Sequence, residues 1–453
     1  MRHYCRGSLK YLLSIGGVLA ATACGEPPGL PEPGPDERTG DRDQERESAS
    51  AASSRSDPGD ANLRPLTGAE AEPAREFAQL RWTVHEPVGT ASSVAVDDLG
   101  RSYWMVDGKL RRYGRDGRLQ GIVADGAFAP PGASIETRWV ASDASGRLYV
   151  VGIFSGELQL DDGSRLPSAG GSDIYVSRIA SDGARLWTRR IGNEKHQEWV
   201  DFAVGPAGHV LVAPGYAESV LLDEHGAVAW TRQLDVPVGR LAVDGGGHGF
   251  VFADFSGGIT AAGRALESRG PRDLLLAKLD DVGRVTWLAQ LGGDGREHAT
   301  TIVADHSGSV YVAGVFFDGL NLGGETLQAV ESSEVSRDTG FVASFDAAGR
   351  HRWSRVASAQ AMGELNDLAV DSGGRLTLAG RSNAAVVFGF SDVAQYDAMS
   401  GSVMWSQNGF LGGGQGSARA LAIDPLGGLL VSGVAEPRDA TTHELDAHLA
   451  RIE

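Results

Sequence analysis

Ala95-Val96-Asp97-Asp98-Leu99-Gly100 opens a pattern to which the chain keeps returning. An apolar pair followed by Asp-x-x-Gly recurs at Ala242-Val243-Asp244 with Gly247, at Ala369-Val370-Asp371 with Gly374, and at Ala422-Ile423-Asp424 with Gly427. Val303-Ala304-Asp305 with Gly308 and Ala141-Ser142-Asp143 with Gly146 are close variants, and Ala203-Val204-Gly205 with Gly208 lacks only the aspartate, which makes seven copies. An aspartate side chain can accept a bond from the amide two residues on, and glycine supplies the positive φ of a tight turn, so the element reads as strand, turn, strand. The strand after the turn is an apolar run such as Tyr149-Val150-Val151, Val210-Leu211-Val212, Tyr311-Val312-Ala313 or Leu429-Leu430-Val431.

A second hairpin follows the first: Ile174-Tyr175-Val176, the turn Asp182-Gly183, then Leu186-Trp187. Trp230, Trp287, Trp353 and Trp405 stand, like Trp187, four residues after a turn glycine. Each unit therefore offers four short strands, and Asp97 to Asp424 covers 327 residues in six steps. A lone four-stranded sheet exposes both faces and must stack on its neighbours; a repeat of about 55 residues with four strands is one blade of a β-propeller. The composition agrees, with 63 glycines and only 7% aromatic residues in 453, as in a turn-rich all-β chain. The last copy supplies a hairpin and then Ala447 to Ile452 without a following tryptophan strand, whereas Leu80-Arg81-Trp82-Thr83-Val84 carries a tryptophan with no hairpin before it. Pairing the two segments would close the ring and remove its exposed edges. The expected fold is an all-β, seven-bladed propeller whose last blade is completed by the N-terminal strand, with six or eight blades as the alternatives. The first blade is the weakest copy, with Gly121 in the tryptophan slot.

Asp143-Ala144-Ser145-Gly146-Arg147-Leu148-Tyr149-Val150-Val151-Gly152 and Asp173-Ile174-Tyr175-Val176-Ser177-Arg178-Ile179 resemble the bacterial seven-bladed β-propeller repeat (SBBP) family of exported proteins. Phe154, Gly156, Leu166, Gly170 and Asp173 recur in spacing as Phe255, Gly257, Leu266, Gly270 and Asp273, a further likeness to that family's second loop. The resemblance covers residues 77 to 453 and implies a fold more than a function. Asp397 to Trp405 is also similar to the repeat of pyrroloquinoline-quinone propellers, in that copy alone.

Upstream, Arg2, Arg6 and Lys10 precede an apolar run from Tyr11 to Ala23, the pattern of a signal peptide and too short to span a bilayer. Ala21-Thr22-Ala23-Cys24 resembles the bacterial lipobox, with Ala21 where leucine is usual, which implies that Cys24 is lipidated and becomes the N-terminus. Gly25 rather than Asp after the cysteine resembles lipoproteins sorted to the outer membrane. Acyl chains at ~0.8 kcal/mol per buried methylene would anchor the protein durably. From Gly25 to Arg75 there is no aromatic residue and there are eight prolines, a segment that cannot bury enough apolar surface to order itself. The expected organisation is a signal peptide at 1–23, lipidated cysteine and disordered linker at 24–75, and the propeller at 76–453. Cys5 and Cys24 are the only cysteines, so no disulfide framework or thiolate metal site is expected. With 41 Lys and Arg against 59 Asp and Glu, a net charge of −18, nucleic acid is excluded as a natural partner.

Motifs for chemistry are missing: no His-Glu-x-x-His, Walker loop, Gly-x-Ser-x-Gly or complete Gly-x-Gly-x-x-Gly occurs. Neither metal nor cofactor is expected. His209, His225, His248, His306 and His351 fall in or beside the repeat turns, without ligand spacing, and Gly245-Gly246-Gly247 reads as turn geometry. The connections on the other face are the variable ones: Gln120 to Thr137, Ser155 to Ser172, Gly192 to Glu198, Ser256 to Arg272, Gly292 to His298 and Asp318 to Thr339. Variable loops on a rigid scaffold are where binding sits. Asn193, Glu194, His196 and Trp199 in one connection, and Asp294, Arg296, Glu297 and His298 in another, form the candidate binding face. The resulting expectation is a monomeric cell-envelope lipoprotein of the outer membrane, binding or scaffolding a protein or glycan without catalysis. The alternative is a propeller enzyme, either a quinone-dependent dehydrogenase or a metal-assisted lyase. The dehydrogenase would be expected to carry a vicinal cysteine pair that this chain lacks.

Overall fold

The computed structural model describes residues 79–87, 91–123, 127–180, 182–195, 200–214, 218–329, 339–357, 362–382, 391–408, 411, 416–435 and 446–453. The signal peptide, Cys24 and the linker lie outside these residues, as do His196 and Trp199.

Seven four-stranded antiparallel sheets follow one another as the blades of a propeller. Blade 1 runs Ala91–Val96, Ser102–Val106, Lys109–Tyr113, Leu119–Val123. Blade 2 is Ser134–Ser142, Leu148–Ser155, Asp173–Ile179, Arg185–Ile191, and blade 3 is Val200–Val204, Val210–Pro214, Ser219–Leu222, Val228–Arg232. Blade 4 is Arg240–Val243, Gly249–Phe255, Asp273–Leu279, Val285–Leu291. Blade 5 is Glu297–Ala304, Val310–Phe316, Thr339–Phe345, His351–Val356. Blade 6 is Met362–Val370, Arg375–Ser382, Ser391–Asp397, Val403–Asn408. Blade 7 takes three strands from the C-terminal end, Gly416–Ile423, Leu429–Ala435 and Asp446–Ile452, and its outer strand, Leu80–Glu86, from the N-terminal end. The register sets Val84 opposite Leu449 and Glu86 opposite Ala447, the ring closure that the orphaned tryptophan strand requires.

The core lies between blades rather than within them. Seven apolar clusters fill the seven seams; Leu211, Val243 and Leu275 belong to the seam of blades 3 and 4, and Val96, Leu430 and Leu449 to that of blades 7 and 1. The second and third strands are buried along almost their whole length because both of their faces meet neighbours, which is why they read as continuous apolar runs.

The Asp-x-x-Gly turns all lie on one face. Asp97, fully buried, accepts the amides of Leu99 and Arg101 at 3.0 and 2.9 Å on one oxygen, and Arg101 Nε and the Tyr103 hydroxyl at 2.6 and 3.0 Å on the other. Asp143 repeats this with Ser145, Arg147 and Tyr149. The aspartates thus hold the inner hairpins closed from within in every blade but the third, where Gly205 takes the slot. Gly245-Gly246-Gly247 needs more than turn geometry. Gly247 alone of the three has a positive φ, 80°, whereas side chains at Gly245 and Gly246 would strike the imidazoles of His306 and His248.

Two expectations about spans shift. The variable connection after blade 1 is shorter than Gln120 to Thr137, because Leu119–Val123 and Ser134–Ser142 extend into it. Three of the other connections carry small hairpins of their own: Glu157–Leu160 with Arg165–Pro167, Gly258–Ala261 with Arg264–Glu267, and Gly319–Leu320 with Leu327–Gln328.

Candidate functional site

Strand alternation puts the connections between second and third strands, and those between blades, on the face opposite the aspartate turns. In blades 2 and 4 the second connection is tied at its neck. The Gly156 amide donates to Ser168 Oγ at 3.1 Å and the Ser168 amide to Gly156 O at 2.7 Å; Gly257 and Ser268 form the same pair at 2.9 and 3.1 Å. Asp173 and Asp273, fully buried, anchor the far end. Asp173 accepts the Ala169 amide at 2.6 Å and Arg190 at 2.9 Å; Asp273 accepts the Arg269 amide at 3.0 Å and Gln290 at 2.7 Å. Gly170 and Gly270 let the next connection pack directly on top, since a side chain at Gly170 would collide with the Glu194 backbone and one at Gly270 with Gly295 O. The repeated Phe-Gly-Leu-Gly-Asp spacing is therefore the machinery that seats the two connections holding the candidate residues.

The candidates have different environments, and Glu297 and His298, expected in the connection, open the inner strand of blade 5 instead. Glu194, Asp294 and Arg296 are exposed, and Asn193 is partly buried, its Oδ1 accepting the Lys195 amide at 2.9 Å. Arg296 lies over the Phe317 ring at 5.6 Å. His298 Nδ1 is 3.0 Å from Asp254 Oδ1, and Arg272 is 2.9 Å from the other oxygen. Burial of Asp254 works against its charge, but His298 and Arg272 outweigh it and hold its carboxyl below the usual range. Glu297 points inward, 1% exposed; burial, with the charge of Asp273 beside it, pushes its carboxyl up to about 7. The two candidate connections follow blades 2 and 4, so they share a face with blade 3 between them.

A second set of polar residues, which the repeat comparison did not single out, lines the inner strands. Four residues before the turn position stand Ser93, Asp201, Arg240 and Asp367. Ser93 Oγ accepts the Val140 amide of the next blade at 2.9 Å, Asp201 that of Leu241 at 2.8 Å, and Asp367 that of Leu421 at 2.8 Å. These bonds staple neighbouring inner strands across three seams. Arg240 sits 3.3 Å from Asp201 and its charge also reaches Asp367. Burial nevertheless dominates, pushing Asp201 up to about 6 and Asp367 to about 7. Among the described residues no three His, Cys, Asp or Glu side chains converge as metal ligands do.

No family model matches the chain, and no curated protein matches it. Solved structures that resemble it include BamB from Moraxella catarrhalis, at 14% identity over 80% of this chain and 85% of that one, with a TM-score of 0.37. Quinohemoprotein alcohol dehydrogenase from Comamonas testosteroni shows 12% identity over 83% and 76%, TM-score 0.40. A protein of unknown function from Bacteroides caccae shows 13% over 60% and 83%, TM-score 0.34.

Proposed function

We propose that this chain is a lipid-anchored binding module of the cell envelope, whose loop face holds a protein or glycan partner without catalysing a reaction. One observation carries the reading: exposed Glu194, Asp294 and Arg296 stand on connections that rest on Gly170 and Gly270, in neighbouring connections anchored by Asp173 and Asp273. Rigid presentation of polar groups lowers the ordering cost of binding. The opposite face lacks this character, because its conserved-in-position aspartates are consumed inside their own turns. Membership of the seven-bladed repeat family, anchoring through Cys24 at the outer membrane and a monomeric state belong to the same proposal, resting on the sequence units and the Ala21-Thr22-Ala23-Cys24 stretch.

The test is affinity capture from native envelopes with wild-type protein, a Glu194→Ala/Asp294→Ala/Arg296→Ala variant, and an Asp98→Ala/Asp281→Ala control on the opposite face. A partner retained by wild type and control and lost by the loop variant supports the binding face. Equal capture by all three refutes it, and a stoichiometric quinone or metal in the purified protein would favour the enzyme instead.

A further inference from the structure

Blade 7 takes its third and outer strands from opposite ends of the sequence, and where they pair it carries two imidazoles that the other blades lack. The register sets His85 of the N-terminal strand directly opposite His448 of the C-terminal one, with ring centroids 6.2 Å apart and planes inclined by 30°. In the same cross-strand position blades 2, 4 and 5 place Tyr175 with Arg190, Leu275 with Gln290 and Phe341 with Val356. Val84 and Leu449 turn into the seam of blades 7 and 1, so strand alternation sends both imidazoles to the opposite face. In blades 2 and 5 the third-strand ring lies over a glycine of the second strand, Tyr175 over Gly152 and Phe341 over Gly314. The equivalent Gly433, which pairs with His448, meets Leu411 instead, and this leaves the His448 ring beside His85. His448 Nε2 is shut off from solvent and has no hydrogen-bond partner, whereas Ala435 O accepts from the same ring, which assigns that bond to Nδ1–H. An imidazole held in this way keeps the Nε2 lone pair for a ligand, the arrangement that orients metal-binding histidines.

We propose that His85 and His448 together bind a divalent transition-metal ion of the zinc class, clipping the N-terminal strand to the C-terminal one where the ring closes. Imidazole suits Zn²⁺, Ni²⁺ and Cu²⁺, whereas Ca²⁺ and Mg²⁺ take oxygen ligands. Two imidazoles on one tetrahedral ion, with metal–nitrogen bonds of about 2.0–2.1 Å, have centroids about 5 Å apart. The separation of 6.2 Å closes to that value by rotation of the exposed His85 ring. Asp446, two residues before His448 on the same strand face, places its negative charge near enough to act on His448. It favours a cation there without serving as a third ligand. Water completes the coordination, so the ion exchanges freely and is loaded by added metal, unlike a catalytic centre retained through purification.

The full chain, stripped with EDTA, should melt about 3 °C higher in excess ZnCl₂ or NiCl₂ and be unaffected by CaCl₂. His85→Gln and His448→Gln should each abolish the shift, and calorimetric titration with NiCl₂ should fall in both from one ion per chain to none. His225→Gln, at an exposed turn, should keep the shift and the ion. Because His85 is exposed, its variant should melt like wild type without metal, so a lost response there reports binding rather than folding. No shift in wild type, or an undiminished shift in His85→Gln and His448→Gln, overturns the inference.

Discussion

Trp82 lies on Gly117: a side chain at Gly117 would come within 2.8 Å of the indole, although the two residues belong to the last and first blades of the ring. Gly117 has a φ of 77°, and Gly374, at 79°, has nothing within 4 Å of the same position. The pair separates backbone strain from ring contact. Gly374→Ala should cost about 1 kcal/mol from its positive φ, while Gly117→Ala should cost a further ~1–3 kcal/mol because Trp82 must also move. Denaturant midpoints of the two variants measure the difference, and equal losses would show that Trp82 does not seal the ring.

The same contact makes the short N-terminal strand structural and the segment before it dispensable. Deleting residues 25–70 is expected to leave the melting temperature unchanged, because none of them is needed for the strand pairing of Leu80–Glu86 with Asp446–Ile452. Deleting 76–86 removes the outer strand of blade 7, exposes an edge and should give aggregation. Light scattering and thermal melts of both deletions test this.

How much of this was legible in the sequence depends on whether a residue's role repeats. Asp97, Asp143 and Asp424 are readable because each closes its own turn, so the same residue recurs in six of the seven copies. Trp82 is readable because its slot recurs in five other blades. Ser93, Asp201 and Asp367 occupy one column as well, but only these three seams are stapled there, one by serine and two by aspartate, and other blades place Trp139, Arg240 or Thr301 in it. No recurring letter marks it. Glu297 reads as an exposed loop residue, yet it opens the inner strand of blade 5 and is buried beside Gly292 and Asp273 of blade 4. Comparing inner-strand columns for polar residues would have found Asp201 and Asp367; nothing local would have found the burial of Glu297.

Arg451 is 1% exposed, paired with buried Asp424 inside blade 7, and donates to Gly100 O of blade 1 at 3.1 Å. It therefore joins an ion pair to the closing seam. Removing one partner of a buried pair strands the other, so Arg451→Ala should destabilise by about 3–5 kcal/mol. Arg350, whose pairing with Asp346 is largely exposed, is the control, and Arg350→Ala should cost at most about 1 kcal/mol. A similar small loss in both would show that burial adds nothing to the Arg451–Asp424 pair.

Asp201, Asp367 and Glu297 give stability a distinctive pH dependence. Burial raises Asp367 from 3.8 to about 7, Asp201 from 3.8 to about 6 and Glu297 from 4.5 to about 7. The folded state therefore keeps protons that the unfolded chain has already released. Their stabilising contribution is complete below about pH 4 and is lost as pH rises to about 7. Asp254, Glu136 and Asp346 act the other way: their carboxyls are held below the ordinary range, so what they contribute is present above it and disappears on further acidification. The melting temperature should accordingly be highest in mildly acidic buffer and fall between pH 5 and pH 8. Asp367→Asn retains an oxygen for the Leu421 amide but cannot ionise, so it should flatten that fall and melt higher than wild type at pH 8. An unaltered pH profile for Asp367→Asn would mean that Arg240 keeps the carboxylate charged and that the inner staple does not titrate.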